Sequence, residues 1–317
     1  MDEIALATGK GLIRAARTEH GWVITERSST DIPLTSILRH DGDLILGARE
    51  GVFRCAGGQN WDRESDGLSI PYVRWLGHQN GRVFAGTEPA GIFHSDAGRW
   101  QNAPEVADLR DRFHWFLPYS PEAGCVRGFA FHGRRGYAAV EVGGVLRSDD
   151  RGVSWRLAGG SSGKPSFDIP PEGMVHPDVH SIEVHPSSPD LVFAVTAGGL
   201  FRSGDGGDTW QVSHAGSYCR AAWIDPGNPD HIVLGPADDV SVNGRIEETH
   251  DGGRTWQLAS DGLDLPWPRR MVERFATVGD DLFAVTSDGC LFASPAGKLS
   301  WRRVLPEVDE IRAVAQL

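Results

Sequence analysis

Apolar runs of strand length alternate with turn residues along the chain, and they recur in a fixed order. The most regular is a short glycine-led run: "GLIRA", "GVFRC", "GIFHS", "GVLRS" and "GLFRS", with "RIEET" and "CLFAS" in the same place further on. Ahead of each lies a second run, namely "IALAT", "LILGA", "VFAGT", "YAAVE", "VFAVT", "IVLGP" or "LFAVT". These runs are β-branched or aromatic and bounded by turn formers, which predicts β-strands. A third run precedes them and ends in a turn such as "HDGD", "HPSSPD", "DPGNPD" or "VGDD". A tryptophan then opens a fourth. Trp22, Trp61, Trp100, Trp155, Trp210, Trp256 and Trp301 mark the repeats, 39, 39, 55, 55, 46 and 45 residues apart.

Seven antiparallel units of four strands predict an all-β fold, a seven-bladed β-propeller that occupies residues 1–317 as a single domain. The first unit is one strand short, because residues 1–30 supply its second, third and fourth strands only. The apolar C-terminal stretch "EIRAVAQL", Glu310 to Leu317, is the missing strand. Pairing it with "IALAT" closes the ring and protects edges that an open arc would expose.

Composition agrees with a turn-rich β protein: 40 glycines and 11 tryptophans against 3 methionines. A net charge of −12 argues against nucleic acid or an anionic membrane as partner. The start "MDEIALATGK" is acidic where a signal peptide would be basic, and no apolar run approaches a membrane span. Cys55, Cys125, Cys219 and Cys290 are widely separated, without the spacing of a zinc site or a disulfide framework. The expectation is a cytoplasmic protein with reduced thiols and no cofactor.

Three segments match S/T-x-D-x-G-x-S/T-W: "SDDRGVSW" (148–155), "SGDGGDTW" (203–210) and "THDGGRTW" (249–256). Weaker echoes end at the other four tryptophans. These octets resemble the Asp-box, or BNR, repeats of sialidases and related propellers, including bacterial BNR-like proteins often labelled glycosyl hydrolases. The photosystem II assembly-factor family is similar too. The resemblance implies that the octet forms the turn between third and fourth strands. Asp150, Asp205 and Asp251 would then bond backbone amides, and Trp155, Trp210 and Trp256 would pack between sheets. In such propellers the octets lie opposite the usual ligand face, so they are expected to be structural. Family sialidases typically have six blades and an Arg-Ile-Pro-type motif. Here "DIP" stands at 31–33 and 168–170 without the arginine, so sialidase activity is not expected.

Function in a propeller concentrates where the innermost strands converge. Counting five residues back from the turn after each first strand gives Thr35, Arg74, Arg127, His180, Arg220, Arg274 and Arg312. Two residues earlier, on the same strand face, stand Pro33, Tyr72, Cys125, Asp178, Tyr218, Val272 and Glu310. Two residues later the set is apolar, from Ile37 and Leu76 to Val314. The pattern predicts a funnel that is basic at its mouth and apolar below. Guanidinium groups in such a ring suit a carboxylate or phosphate. Pairing with neighbouring carboxylates such as Glu273, Glu310 or Asp178 is the competing arrangement.

Three long connections, 101–124, 157–178 and 258–272, reach the mouth and offer Phe113, His114, Trp115, Trp267 and Arg269 as cover for a ligand. "HPDVH" sets His176, Asp178 and His180 at alternate positions; nearby arginines disfavour a cation there, and no metal is expected. His180 tuned by Asp178 is a candidate proton-transfer group, and Tyr72 and Tyr218 beside arginines are candidates for acid, base or nucleophile. Cys125 beside Arg127 reads as a buried, inert thiol. The functional expectation is a small carboxylate- or phosphate-bearing ligand held by Arg74, Arg127, Arg220, Arg274 and Arg312, with His176, Glu310, Trp115 and His114 as further contacts. Hydrolase or lyase chemistry is the leading form of it. The alternative is a non-catalytic module that grips an acidic peptide or protein partner.

Overall fold

The computed structural model describes residues 2–29, 32–56, 61–96 and 98–317. Asp31 of the first "DIP", residues 57–60 of the Trp61 echo and Ala97 of the Trp100 echo lie outside the described residues. Seven four-stranded antiparallel sheets form the molecule. Blades 2 to 7 each take four consecutive strands, and blade 1 takes three from the N-terminus and one from the C-terminus. That last strand, Ile311–Gln316, pairs with Glu3–Thr8, placing Leu6 opposite Val314 and Ala7 opposite Ala313. "EIRAVAQL" therefore closes the ring as its pattern predicts.

The core lies between blades. Ile4 and Leu6 of blade 1 pack with Phe283 and Val285 of blade 7, and Phe84 and Ile92 of blade 3 pack with Val126 and Leu146 of blade 4. Comparable clusters join every other adjacent pair. Each sheet thus buries both faces against neighbours, which accounts for second strands that are apolar throughout rather than alternating.

Sheet spacing explains three glycines in those second strands. A Cβ on Gly47 would lie 2.9 Å from Val73, one on Gly86 would lie 2.7 Å from Val126, and one on Gly235 would lie 2.5 Å from Val272. In each case the contact is with the innermost strand of the next blade.

The three octets fold alike. Asp150 Oδ1 accepts the amides of Val153 (3.1 Å) and Ser154 (3.0 Å), and its Oδ2 accepts the Ser154 hydroxyl (2.6 Å). Asp205 and Asp251 do the same with 208–209 and 254–255. Trp155 and Trp210 are buried between blades, and Trp256 is half-buried.

One connection departs from expectation. Segment 101–124 contains a helix, Pro104–Phe113, among otherwise all-β elements. Proline at its first turn and Val106 facing the core favour it, and His114 ends it in a left-handed conformation at φ 54°. Glu105 Oε1 accepts the Trp155 amide at 2.6 Å, so the helix braces the blade 4 octet.

Candidate functional site: a divided central funnel

Each innermost strand slips register once against the second strand of its own blade, near the end where the chain enters. The residues left out of the pairing are Thr35, Arg74, Arg127, His180, Glu273 and Arg312, with Arg220 and Ala221 together in blade 6. A bulge re-aims the unpaired side chain, and here it turns these residues towards the axis. Six of the seven are the ring positions expected from sequence. Blade 7 is the exception: its ring residue is Glu273, not Arg274. The turn is the pair Gly279-Asp280, because Val278 still pairs with Asp281. Counting back from Val278 lands on Glu273.

That substitution changes the electrostatics. Glu273 Oε2 accepts from Arg127 Nη2 at 3.4 Å, and its Oε1 accepts from Arg220. Arg127 also pairs with Glu141 of its own blade at 3.3 Å. Arg74 pairs with Glu88 and donates to the Tyr72 hydroxyl at 3.3 Å. Burial alone would raise the Glu141 and Glu273 carboxyls, but the arginine charges overcome it and hold both below the ordinary range.

Arg274 behaves differently. It reaches past blade 1 to donate to the backbone carbonyls of Thr35 (3.1 Å) and Arg74 (3.4 Å), with its guanidinium 3.6 Å from the Trp75 ring centre. Burial first, then the Arg127 charge, pushes Arg274 down to about 9; Glu273 pulls the other way, and Arg74 adds a smaller push downward. Arg312 donates to the Leu34 carbonyl at 3.2 Å and lies 3.9 Å from Glu310.

The Arg127–Glu273 contact divides the funnel. Over blades 4 to 6 lies a cavity of about 760 Å³, where Arg74, Arg127 and Arg220 face Glu141, Asp178, Asp239 and Glu273. On the other side a pocket of about 310 Å³ gathers Arg74, Arg127, Arg274 and Arg312 against Glu273 alone. Tyr72, Thr35, Thr286 and Ser287 complete its polar lining. Positive charge is therefore in excess on one side only.

The larger lobe holds a proton-bearing network. His180 Nδ1 lies 2.6 Å from the Cys219 carbonyl, which can only accept, so Nδ1 carries hydrogen. Its Nε2 lies 3.2 Å from the Tyr218 hydroxyl and 3.3 Å from Asp178 Oδ1. Burial outweighs the neighbouring Arg220 charge and raises the Tyr218 phenol above its ordinary value. Tyr218 is thus a protonated phenol at neutral pH, which suits the acid among the expected roles rather than the base or nucleophile. Burial likewise pushes Cys125 up to about 12, and all four cysteines are buried.

Other expected contacts sit elsewhere. The Trp115 indole is buried between blades 3 and 4 and donates to Gly163 O at 2.7 Å, so it packs rather than lines the funnel. His114 is exposed at the helix end, and Trp267 is buried in the cluster between blades 6 and 7. Glu310 is exposed, with its carboxylate 3.8 Å from Lys10. His176 lines the larger lobe, but its Nδ1 accepts the Asp178 amide at 3.1 Å. Glu141, rather than His176, joins Asp178 and His180, and the Arg127 charge on Glu141 disfavours a cation there. Glu88 and Glu141 were not anticipated. Glu141 ends its second strand and Glu88 follows directly on Arg82–Thr87, both beside the entry of the innermost strand, and that position is the signal for them.

This geometry defines a seven-bladed β-propeller with a charged, two-lobed funnel. No model of a known protein family matches the chain, and no curated protein matches it by sequence. Solved structures share the fold. YCF48 from Cyanidioschyzon merolae superposes with a TM-score of 0.63 at 12% identity, covering 93% of this chain and 94% of that one. A structure of YCF48 bound to D1 peptide gives 0.58 at 15%, covering 88% and 84%. The GH74 xyloglucanase from Xanthomonas campestris gives 0.58 at 16%, covering 87% and 45%. An extracellular domain of a two-component system from B. thetaiotaomicron gives 0.61 at 13%, covering 88% and 34%. The chain thus spans under half of the latter two proteins. All of these neighbours share its β-propeller architecture, in keeping with the resemblance carried by the octets. Among the described residues no helix is long and apolar enough to cross a membrane.

Proposed function

We propose that the funnel binds a small carboxylate- or phosphate-bearing molecule, with its anionic group in the smaller lobe. The observation that carries this reading is Arg274: a half-buried guanidinium that, among the described residues, bonds to backbone carbonyls and to no carboxylate, in a pocket shared with Arg312, Arg74 and Arg127. An anion there would offset the burial that chiefly depresses Arg274 and the repulsion from Arg127 and Arg74 that adds to it, and a pocket of about 310 Å³ suits a small ligand. The rest of such a ligand would extend past Arg127 towards Tyr218. A protonated Tyr218 backed by His180 and Asp178 fits a general acid, which favours hydrolase or lyase chemistry over a tyrosine nucleophile.

Thermal melts against di- and tricarboxylates, sugar acids and phosphates test the binding. A ligand at about 100 times its Kd stabilises by about 2.7 kcal/mol, and Arg312→Ala should remove that shift. No shift with any anion overturns the reading. Turnover of the bound ligand that falls at least a hundredfold in Tyr218→Phe supports catalysis.

A second reading rests on the apolar groove of about 600 Å³ that adjoins the larger lobe through Phe167, His176 and Ala197. Ile169 on its edge is 95% exposed. A peptide with an acidic group and apolar side chains would fill both, and the peptide-bound YCF48 neighbour offers a parallel. Stabilisation by acidic peptides, but by no small anion, selects this reading.

A further inference from the structure

Blade 6 carries a second cluster of chemistry-bearing side chains, on the face away from the funnel mouth. His231 precedes the second strand, Ile232–Ala237, while Glu248 and His250 lie at and just beyond the third, Glu247–Thr249. Their ligand atoms all fall within 4.8 Å of one another. Glu248 Oε2 is 3.6 Å from His231 Nε2 and 3.3 Å from His250 Nε2.

The surrounding contacts fix the protons. Asp225 Oδ2 lies 3.1 Å from His231 Nδ1, so that nitrogen carries a hydrogen, and a neutral ring presents its lone pair at Nε2. His231 is only 8% exposed, and its buried Nε2 has no hydrogen-bond partner. A lone pair there would face a carboxylate oxygen, so Nε2 needs either a proton of its own or a cation between the two groups. A single cation shared by all three groups suits the two imidazole rings, which stack 4.3 Å apart, better than a separate positive charge on each ring. Glu248 is itself held from behind, its Oε1 accepting from Gln257 Nε2 at 2.9 Å, which leaves Oε2 available.

We propose that His231, Glu248 and His250 bind a Zn²⁺ ion. Tetrahedral zinc with bonds of about 2.0–2.1 Å sets neighbouring donor atoms about 3.3 Å apart, and the two distances at Glu248 are close to that edge. The Asp225–His231 contact is the carboxylate–histidine support that orients metal-bound imidazoles. Two neutral nitrogens with one carboxylate suit zinc better than calcium or magnesium, which prefer all-oxygen shells. The His250 side chain is 59% exposed, so the fourth position opens to water. The ion would tie the blade 6 octet, which contains His250, to the turn that carries Asp225 and His231.

Calorimetric titration of chelator-treated protein with ZnCl₂ tests the site. The expected result is one equivalent bound, with affinity at least tenfold lower in both Glu248→Gln and His250→Ala. His250 is exposed, so its variant should fold, and circular dichroism checks this. Asp178→Asn in the funnel should bind zinc like the native protein. Absence of binding overturns the proposal. So does binding that both blade 6 variants retain within twofold, or that Asp178→Asn abolishes.

Discussion

Arg127 and Glu273, 146 positions apart in sequence, meet at 3.4 Å across the axis of the ring. They come from blades 4 and 7, which are not neighbours, so the contact reports the whole closed ring. Glu273 is also the partner of Arg220. Glu273→Gln leaves two guanidiniums short of a counter-charge and should destabilise the fold by about 2–3 kcal/mol, less than a fully buried pair because the carboxylate is partly solvated. It should also tighten anion binding in the smaller lobe about tenfold, measured by melts with and without ligand. An unchanged melting curve would show that the contact carries no stability.

Acid should unfold the protein through its depressed carboxylates. Glu141, Asp178, Glu273 and the octet residues Asp150, Asp205 and Asp251 are all held below their ordinary values. Such groups add stability above their unfolded values of about 4, and that stability is lost as pH falls through the folded ones. The melting temperature should decline gently below about pH 6.5, where His78 and the buried His94 and His176 resist charging, and fall steeply below about pH 4. A loss that begins on the alkaline side would contradict this.

Gly86→Ala should cost about 1–3 kcal/mol through overpacking. The new methyl would meet Val126 Cγ1 at 2.7 Å and, less forgivingly, the Val126 backbone oxygen at 2.8 Å. Val126→Ala could relieve only the first contact, so the double variant should recover little. Full recovery in a double-mutant cycle would refute the backbone clash.

Removing residues 311–317 strips Ile311 and Ala313 from the core and exposes Glu3–Thr8 as an open edge. The truncated chain should be largely insoluble, or melt more than about 10 °C lower. A soluble product with native melting would mean that blade 1 stands without its closing strand.

The ring was legible in sequence because each blade repeats the same local instructions: a glycine turn, an apolar second strand, a tryptophan. The funnel was legible to within one residue. Blade 7 went astray because "VGDD" offers two places to end the strand, and Asp281 pairs with Val278 where it could have belonged to the turn. A slip of one residue exchanged an arginine for a glutamate. Trp115 and His114 stand in a segment long enough to fold as a helix, whose packing depends on Gly163 and blade 4, partners that no local pattern reveals. The blade 6 histidines were equally hidden, since Asp225, His231 and Glu248 meet only once three strands are paired.

The register shifts carry an evolutionary consequence. At each one the ladder skips the ring residue, so strand pairing places few demands on its side chain. Threonine, arginine, histidine and glutamate already occupy that position on one scaffold. The lining of the funnel can diversify one blade at a time while the architecture is inherited unchanged.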